Sequence, residues 1–422
     1  MTDVESDRIS CLPDHLQHHI LSYLTIKEAG RTSVLSSKWK KKWSTQPDLV
    51  FDRQCVSTVA SEDFSVIEGK FLRIIDHVLL LHSGPINKFE VTDSECDLLG
   101  VNSMADVDRW ILHLTGRSVK ELVLDIWAGE LYKIPWCLFS YQSLHHLKLS
   151  HCLLKPPTMF KGFSSLESLV LHDALMTQDA FENLISGCPQ LEKLILTSVK
   201  GFTQFNIHAP NLKFFRINGK FEGISFDNTL QLAVVYLELS SYLNSESNHS
   251  NLFNFFDHLP HIKSLLIVEH CLKYLAAGIV PVELPTPIID LSSLLLEINF
   301  NDLREISVVP CLLKSSPNLQ RLRMIARLEE QTDLVTPVSN CMEDIFSGPT
   351  MSLSVKYVVI KDISGTKSEL DFIRFLLQYS PVLQKMTVKP AENVKPELMT
   401  ELIRFRRASG QAEVIYHGKD SS

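Results

Sequence analysis

The sequence predicts an α/β fold of the leucine-rich-repeat type, a solenoid of short parallel strands joined by helical or irregular return segments. Three observations predict it. A six-residue phrase, apolar-x-x-apolar-x-apolar, recurs along most of the chain; residues 8–50 carry helical spacing instead; residues 350–418 alternate strand-like and helix-like stretches. The chain has 422 residues, 45% hydrophobic and 21% charged, enough apolar surface to offset the entropy of ordering. With 41 Lys and Arg against 49 Asp and Glu the formal charge is −8, which gives no electrostatic footprint for nucleic acid.

The front module begins at Leu12-Pro13, where Pro13 suits a first helical turn because its missing N–H would be unpaired there. Leu16, Ile20 and Leu24 recur at i, i+4 and i+8, with Leu21 widening the stripe. Thr25-Ile26-Lys27-Glu28 reads as a capping box that starts a second helix. Val34, Leu35, Trp39 and Trp43 continue the apolar set up to Pro47. Three short helices of this size cannot bury so many large side chains alone. They need either a partner or the rest of the chain, for which they would be an N-terminal cap.

Asp7-Arg8-Ile9-Ser10-Cys11-Leu12-Pro13-Asp14-His15-Leu16, Ile20-Leu21-Ser22-Tyr23-Leu24 and Arg31-Thr32-Ser33-Val34-Leu35-Ser36-Ser37-Lys38-Trp39 together resemble a plant-type F-box over residues 7–53. The resemblance implies docking on a Skp1-like adaptor and, through it, on a cullin–RING ubiquitin ligase. It places Leu12, Pro13, Leu16, Ile20, Leu21, Leu24, Val34, Leu35, Lys38 and Trp39 in or under that interface. The run Lys38-Trp39-Lys40-Lys41-Lys42-Trp43 departs from the family by its lysines. It reads as the solvated face of a helix, with a nuclear import signal or a phosphate patch as alternatives.

Residues 54–118 read as a linker and the first part of the repeat array, and 119–345 as the array itself. The phrase starts at Val119, Leu144, Leu166, Leu191, Leu212 and Val234, with offsets of 25, 22, 25, 21 and 22 residues. Later copies start at Ile262, Leu295, Leu319, Val355 and Leu383. Each phrase is a strand whose alternating apolar residues enter a stacked core that no single repeat could close. Return segments such as 179–185 have helical spacing and stop at Gly187-Cys188-Pro189.

The tail reads as strand 356–360, helix 369–377, strand 382–388, helix 398–407 and strand 412–416. Its phrases Phe375-Leu376-Leu377…Ser380-Pro381-Val382-Leu383 and Phe405-Arg406-Arg407-Ala408-Ser409 resemble the FBD domain of plant F-box/leucine-rich-repeat proteins. The resemblance implies an α+β unit with its own fold over 350–418, closing the open end of the solenoid.

No chemistry-bearing motif stands out. His15, His18 and His19 share a helix without a carboxylate or cysteine to complete a metal set, and they read as surface histidines. His145, His146, His151 and Cys152 face different ways on an alternating strand. Gly365-Thr366-Lys367-Ser368 lacks the glycines of a P-loop. Nine scattered cysteines without a C-x-x-C pair argue against a disulfide framework, so the Asn248 sequon is expected to stay unmodified. The reading is a non-enzyme without cofactor, metal or membrane span, in the nucleus, the cytoplasm or both.

Specificity is expected on the concave side of the strands. The candidates there are His146, Lys148, His172, Lys193, Phe214, Arg216, Tyr236, Glu238, Arg321 and Arg323, within outward triplets that also include Ser150, Val268, Glu297, Asn299 and Asn301. The leading function is the substrate-recognition subunit of an SCF-type ligase, with an unknown target protein on the repeats. The alternatives are a binding scaffold uncoupled from any ligase and, less favoured, a small-molecule receptor.

Overall fold

The computed structural model describes residue 9 and residues 11–56, 63–93, 98–127, 129–239, 255, 256, 259, 261–277, 280–327, 352–391 and 397–417. Asp7, Arg8, Ser10, Asn248, and the array's end at 328–345 lie outside the described residues. The chain divides into two compact units, 1–202 and 203–422.

The first unit opens with helices α1 (Asp14–Ser22) and α2 (Ile26–Arg31), followed by 3₁₀ turns at Thr32–Val34 and Lys42–Thr45. The third segment is therefore tight turns rather than an α-helix, in keeping with its run of Thr, Ser and Val, which form helices poorly. Then come β1 (Asp48–Phe51), α3 (Phe64–Leu81), β2 (Lys88–Thr92), α4 (Met104–Leu114), β3 (Glu121–Asp125), β4 (Tyr132–Lys133) and β5 (His146–Ser150). The unit ends with β6 (Cys152–Leu153), β7 (Ser168–His172), α5 (Gln178–Ser186) and β8 (Lys193–Thr197).

β1, β2, β3, β5, β7 and β8 form a parallel ladder in that order. Its register stacks one buried row, Leu49, Phe89, Leu122, Leu147, Leu169 and Leu194, beside a second, Phe51, Val91, Leu124, Leu149, Leu171 and Leu196. Each such side chain contributes roughly 1.5–3 kcal/mol by leaving water, and only neighbouring strands make that burial complete. The array therefore starts at β1. Among the described residues of 54–118, α3, α4 and the ladder strand β2 form part of the array, as its expected first portion should, and Ile86-x-x-Phe89-x-Val91 is a copy of the phrase that lies before 119.

The ladder turns at a repeated place. His151, Asp173 and Ser198 each follow a strand in the left-handed region, at φ 51°, 48° and 53°. The His151 and Asp173 N–H groups donate to the strand-end carbonyls of His172 and Thr197 at 2.8 and 2.7 Å. The turns at His151 and Asp173 thus hydrogen-bond the next repeat while folding the chain across their own strand ends.

The second unit contains β9 (Gln204–His208), β10 (Phe214–Gly219), β11 (Gly223–Asp227), β12 (Val234–Leu239), β13 (Ser264–Glu269), α6 (Cys271–Leu275) and β14 (Ser293–Ile298). It continues with α7 (Leu303–Lys314), β15 (Arg321–Ala326), β16 (Tyr357–Ile363), a helix Lys367–Tyr379, β17 (Lys385–Pro390), a helix Glu397–Arg404 and β18 (Glu413–Tyr416). β10, β12, β13, β14, β15, β16, β17 and β18 are parallel neighbours in that order. The tail strands β16–β18 thus extend the repeat sheet, which corrects the expectation of a tail with a separate fold. Its matched phrases interlock: Ala408 N–H donates to the Leu377 carbonyl at 2.9 Å and Ser409 Oγ to that of Leu383 at 2.7 Å. Thr366 and Glu369 form a capping box, which accounts for the P-loop-like Gly365-Thr366-Lys367-Ser368.

Two phrases stand elsewhere than the spacing suggests. Register pairs Phe215 with Val235 and Leu322 with Leu294, so these copies begin at Leu232 and Leu291, not Val234 and Leu295. Both shifts are even, so the strand face is unchanged and only the ends of the triplets fall away. Asn299 is buried beyond the end of β14, its N–H donated to Glu305 Oε2 at 2.9 Å. Ser150 and Val268 are buried as well, each just before a left-handed residue, His151 or Glu269, whose turn covers it.

Gly162 (φ 96°) lies against the Gly187 carbonyl, where an added Cβ would collide with backbone; Gly116 (φ 86°) faces open space. Gly162→Ala is expected to lower stability by about 2–3 kcal/mol, and Gly116→Ala by only about 1 kcal/mol. Denaturant unfolding of the two variants side by side tests this, and equal losses would contradict it.

Candidate functional site

Two kinds of surface could do work: the outer side of the front module and the open face of each unit's sheet. In the front module, α1 is amphipathic in an unusual sense. Gln17 and Leu21 point inward, and Leu16, Ile20 and Tyr23 form an exposed stripe at i, i+4 and i+7. Leu21, Ala29 and Trp39 make a small core, with Leu24 and Trp43 packed against it. Trp39 is 1% exposed while Val34 is 87% exposed and Leu35 projects beside it in sequence. Pro13 and Lys38 are exposed and Leu12 is half-buried.

The residues assigned to the adaptor interface therefore divide. Leu21, Leu24 and Trp39 hold the module together; Pro13, Leu16, Ile20, Val34, Leu35 and Lys38 face outward. Tyr23, 78% exposed, joins the outward stripe and was legible from its i+7 spacing. So much exposed apolar surface on one small module marks a binding surface. Lys38, Lys40 and Lys41 are solvated, on turns rather than a helix, and Lys42 Nζ pairs with Asp14 Oδ1 at 2.7 Å.

The module is fastened to the first repeat by buried polar groups that no motif announces. Gln46 Nε2 donates to the carbonyls of Leu21 and Leu24 at 3.2 and 3.3 Å, and His82 Nε2 donates to the Gln46 carbonyl at 2.8 Å. Asn87 N–H donates to the Pro47 carbonyl at 2.8 Å. Thr25 and Glu28 close the capping box on α2 as its sequence required.

On the open face of the first unit, His146 and Lys193 are exposed, and Lys148 Nζ pairs with Asp125 Oδ2 at 2.6 Å. His172 is half-buried and burial, with help from His151, holds its imidazole towards the neutral form. His151 stands between rings, 4.7 Å from Trp127 and 5.2 Å from His172, with Nδ1 3.1 Å from Asp173 Oδ2. This His–Trp–Asp cluster was missed, because it assembles only when the strand-end turns stack. In the second unit, Arg216 lies 4.5 Å over the Tyr236 ring and pairs with Glu238 at 3.1 Å, bringing three predicted residues together beside half-buried Phe214. Arg321 and Arg323 are exposed on β15.

Burial pushes the Cys188 and Cys311 thiols up to about 11 and Cys152 up to about 12, far from thiolate reactivity. Among the described residues no cluster of His, Cys, Asp and Glu could hold a metal, and no helix is long and apolar enough to cross a membrane.

A small helical docking module followed by stacked strand repeats is the make-up of an F-box/leucine-rich-repeat protein. An F-box model matches residues 9–51, a model described as "FBD-associated F-box protein At5g56370, LRR repeats" matches 107–324, and an FBD model matches 349–388. The F-box/FBD/LRR-repeat protein At1g13570 of Arabidopsis thaliana is 40% identical over 97% of this chain and 98% of its own length. The FBD-associated F-box protein At1g66310 of the same plant is 28% identical over 98% and 97% of the two chains. The chain belongs to the plant F-box/FBD/LRR-repeat family, whose members are generally binding proteins. Its domains support a substrate-recognition role.

Trp39→Ala should cost about 3–5 kcal/mol by emptying the module's core, whereas Val34→Asp should leave stability within about 0.5 kcal/mol. Thermal unfolding of the adaptor-free chain measures both. A second expectation concerns pH. Burial, with Arg117 and His113 nearby, lowers the His82 pKa below its ordinary 6.5. Below that ordinary value the unfolded chain takes up a proton that the folded chain resists, so stability falls as pH drops through 6.5 towards the lowered folded value. His82→Gln should flatten this slope in part, His113 and His172 supplying the remainder; an unchanged slope would show that His82 does not titrate as argued.

Proposed function

We propose that the protein is the substrate-recognition subunit of an SCF-type ubiquitin ligase. The observation that carries this reading is the division of the F-box: Leu21 and Trp39 are buried, whereas Leu16, Ile20, Val34 and Leu35 are displayed to solvent. A folded module that exposes this much apolar surface needs a partner, and the family supplies the kind, a Skp1-like adaptor and through it a cullin. The repeats then hold an unknown target protein, with Arg216, Tyr236 and Glu238 as one contact group and His146, Lys148, His172 and Lys193 as another. The protein makes and breaks no bonds itself. It raises the effective concentration of target lysines near the ubiquitin-charged enzyme.

Co-expression with plant Skp1-like adaptors and pulldown tests the reading. Wild type should give a stoichiometric complex, and Leu12→Ala/Pro13→Ala or Val34→Asp should lose it without unfolding the chain. No complex with any of several adaptors, from a folded wild-type chain, would leave a scaffold uncoupled from a ligase.

A further inference from the structure

The FBD stretch contributes strands to the open face, and the register shows what they display. Three rows cross β15, β16 and β17: Arg321–Tyr357–Lys385, Arg323–Val359–Thr387 and Ile325–Lys361, with Lys389 beside Lys361 on β17. At ~4.8 Å between strands and ~3.3 Å per residue, the patch spans roughly 10 by 13 Å. Five cations thus surround a centre made by Val359 and Tyr357. Arg321, Arg323, Lys385 and Lys389 are exposed and Lys361 half-exposed.

None of the five is held by a carboxylate among the described residues. Glu413 is in register with Lys385 and Asp362 follows Lys361, and both are exposed and make no ion pair among the described residues. On the long ladders of the two units other strand cations are engaged, Lys88 by Glu90 and Glu121, Lys148 by Asp125 and Arg216 by Glu238. In a chain of net charge −8, five unengaged cations gathered on three adjacent strands are a local exception.

We propose that this patch receives an extended acidic segment of the target protein, an apolar side chain between carboxylates. The apolar residue rests on Val359 and Tyr357, Arg321 and Arg323 fork onto one carboxylate, and the lysines of β16 and β17 meet the others. A patch this size holds a segment of four or so residues. Its small extent and the acidity of the whole chain disfavour nucleic acid, which calls for a longer basic track. The inference rests on the reading of the repeats as the target-binding face and specifies its chemistry.

The test is fluorescence anisotropy of the labelled peptide Gly-Glu-Leu-Glu-Glu-Gly on the full-length chain, beside its Gln-for-Glu counterpart and an oligothymidine. The acidic peptide should bind, more weakly as salt rises. Arg321→Glu/Arg323→Glu and Lys385→Glu/Lys389→Glu should each weaken it about tenfold or more, with unfolding midpoints unchanged because all four side chains are exposed. Binding no better than the Gln peptide, or unaffected by both charge reversals, would overturn the proposal. So would tighter binding of oligothymidine that the same reversals abolish, which would assign the patch to nucleic acid. Proximity labelling in plant cells separates the two levels. Proteins lost with Arg216→Ala/Tyr236→Ala but kept with the charge reversals would refute the acidic patch and spare the repeat reading; proteins kept with all of them would refute both.

Discussion

A short parallel strand with two or three inward apolar side chains has no stability alone, and the sheet of each unit is a ladder of such strands. What holds them is register. Leu122, Leu147, Leu169 and Leu194 each fill the space between the like side chains before and after, so the core is a row rather than a centre. Backbone groups follow the same rule, since the residues entering one strand donate to the carbonyl entering the previous one, as Glu167 and Ser168 do to His145. Return segments need only bring the next phrase back into line. They are accordingly free to be helix, as at α5, or 3₁₀ turn, as at Trp136–Ser140.

The front module obeys a different constraint. It is too small to bury its own apolar residues, and it resolves this by dividing them. A minimal core of Leu21, Ala29 and Trp39 fixes the backbone, and the remainder is left outside. Gln46 then ties that backbone to the repeat at three polar points, two carbonyls of the module and the His82 ring. Buried amide hydrogen bonds are directional, so the attachment sets an orientation as well as a distance.

Much of this was legible from the residues. The capping box at Thr25 and Glu28, the stop after α5 and the alternating buried rows follow from local chemistry. Where the reading slipped, the cause is visible in the letters. Leu291-Ser-Ser-Leu-Leu-Leu-Glu-Ile-Asn-Phe300 satisfies the phrase in two ways, and only pairing with Leu322 and Met324 decides between them. The phrase of β1 escaped because its first position is the polar Gln46, and that of β2, Ile86-x-x-Phe89-x-Val91, fits the pattern but stands alone before the regular spacing begins at Val119. The continuity of the tail with the sheet, the Gln46–His82 tie and the His151–Trp127 cluster are products of tertiary pairing, which no single stretch of sequence encodes.

Alternation along each strand has one more consequence. Inward letters answer to stability and outward letters to recognition, and the two sets are interleaved at every second residue without sharing a side chain. A lineage of such chains can therefore diverge in what it recognises by single-codon steps, each nearly neutral for folding. Duplicated copies need no new architecture to acquire a new specificity, and the fold becomes a substrate for diversification rather than a barrier to it.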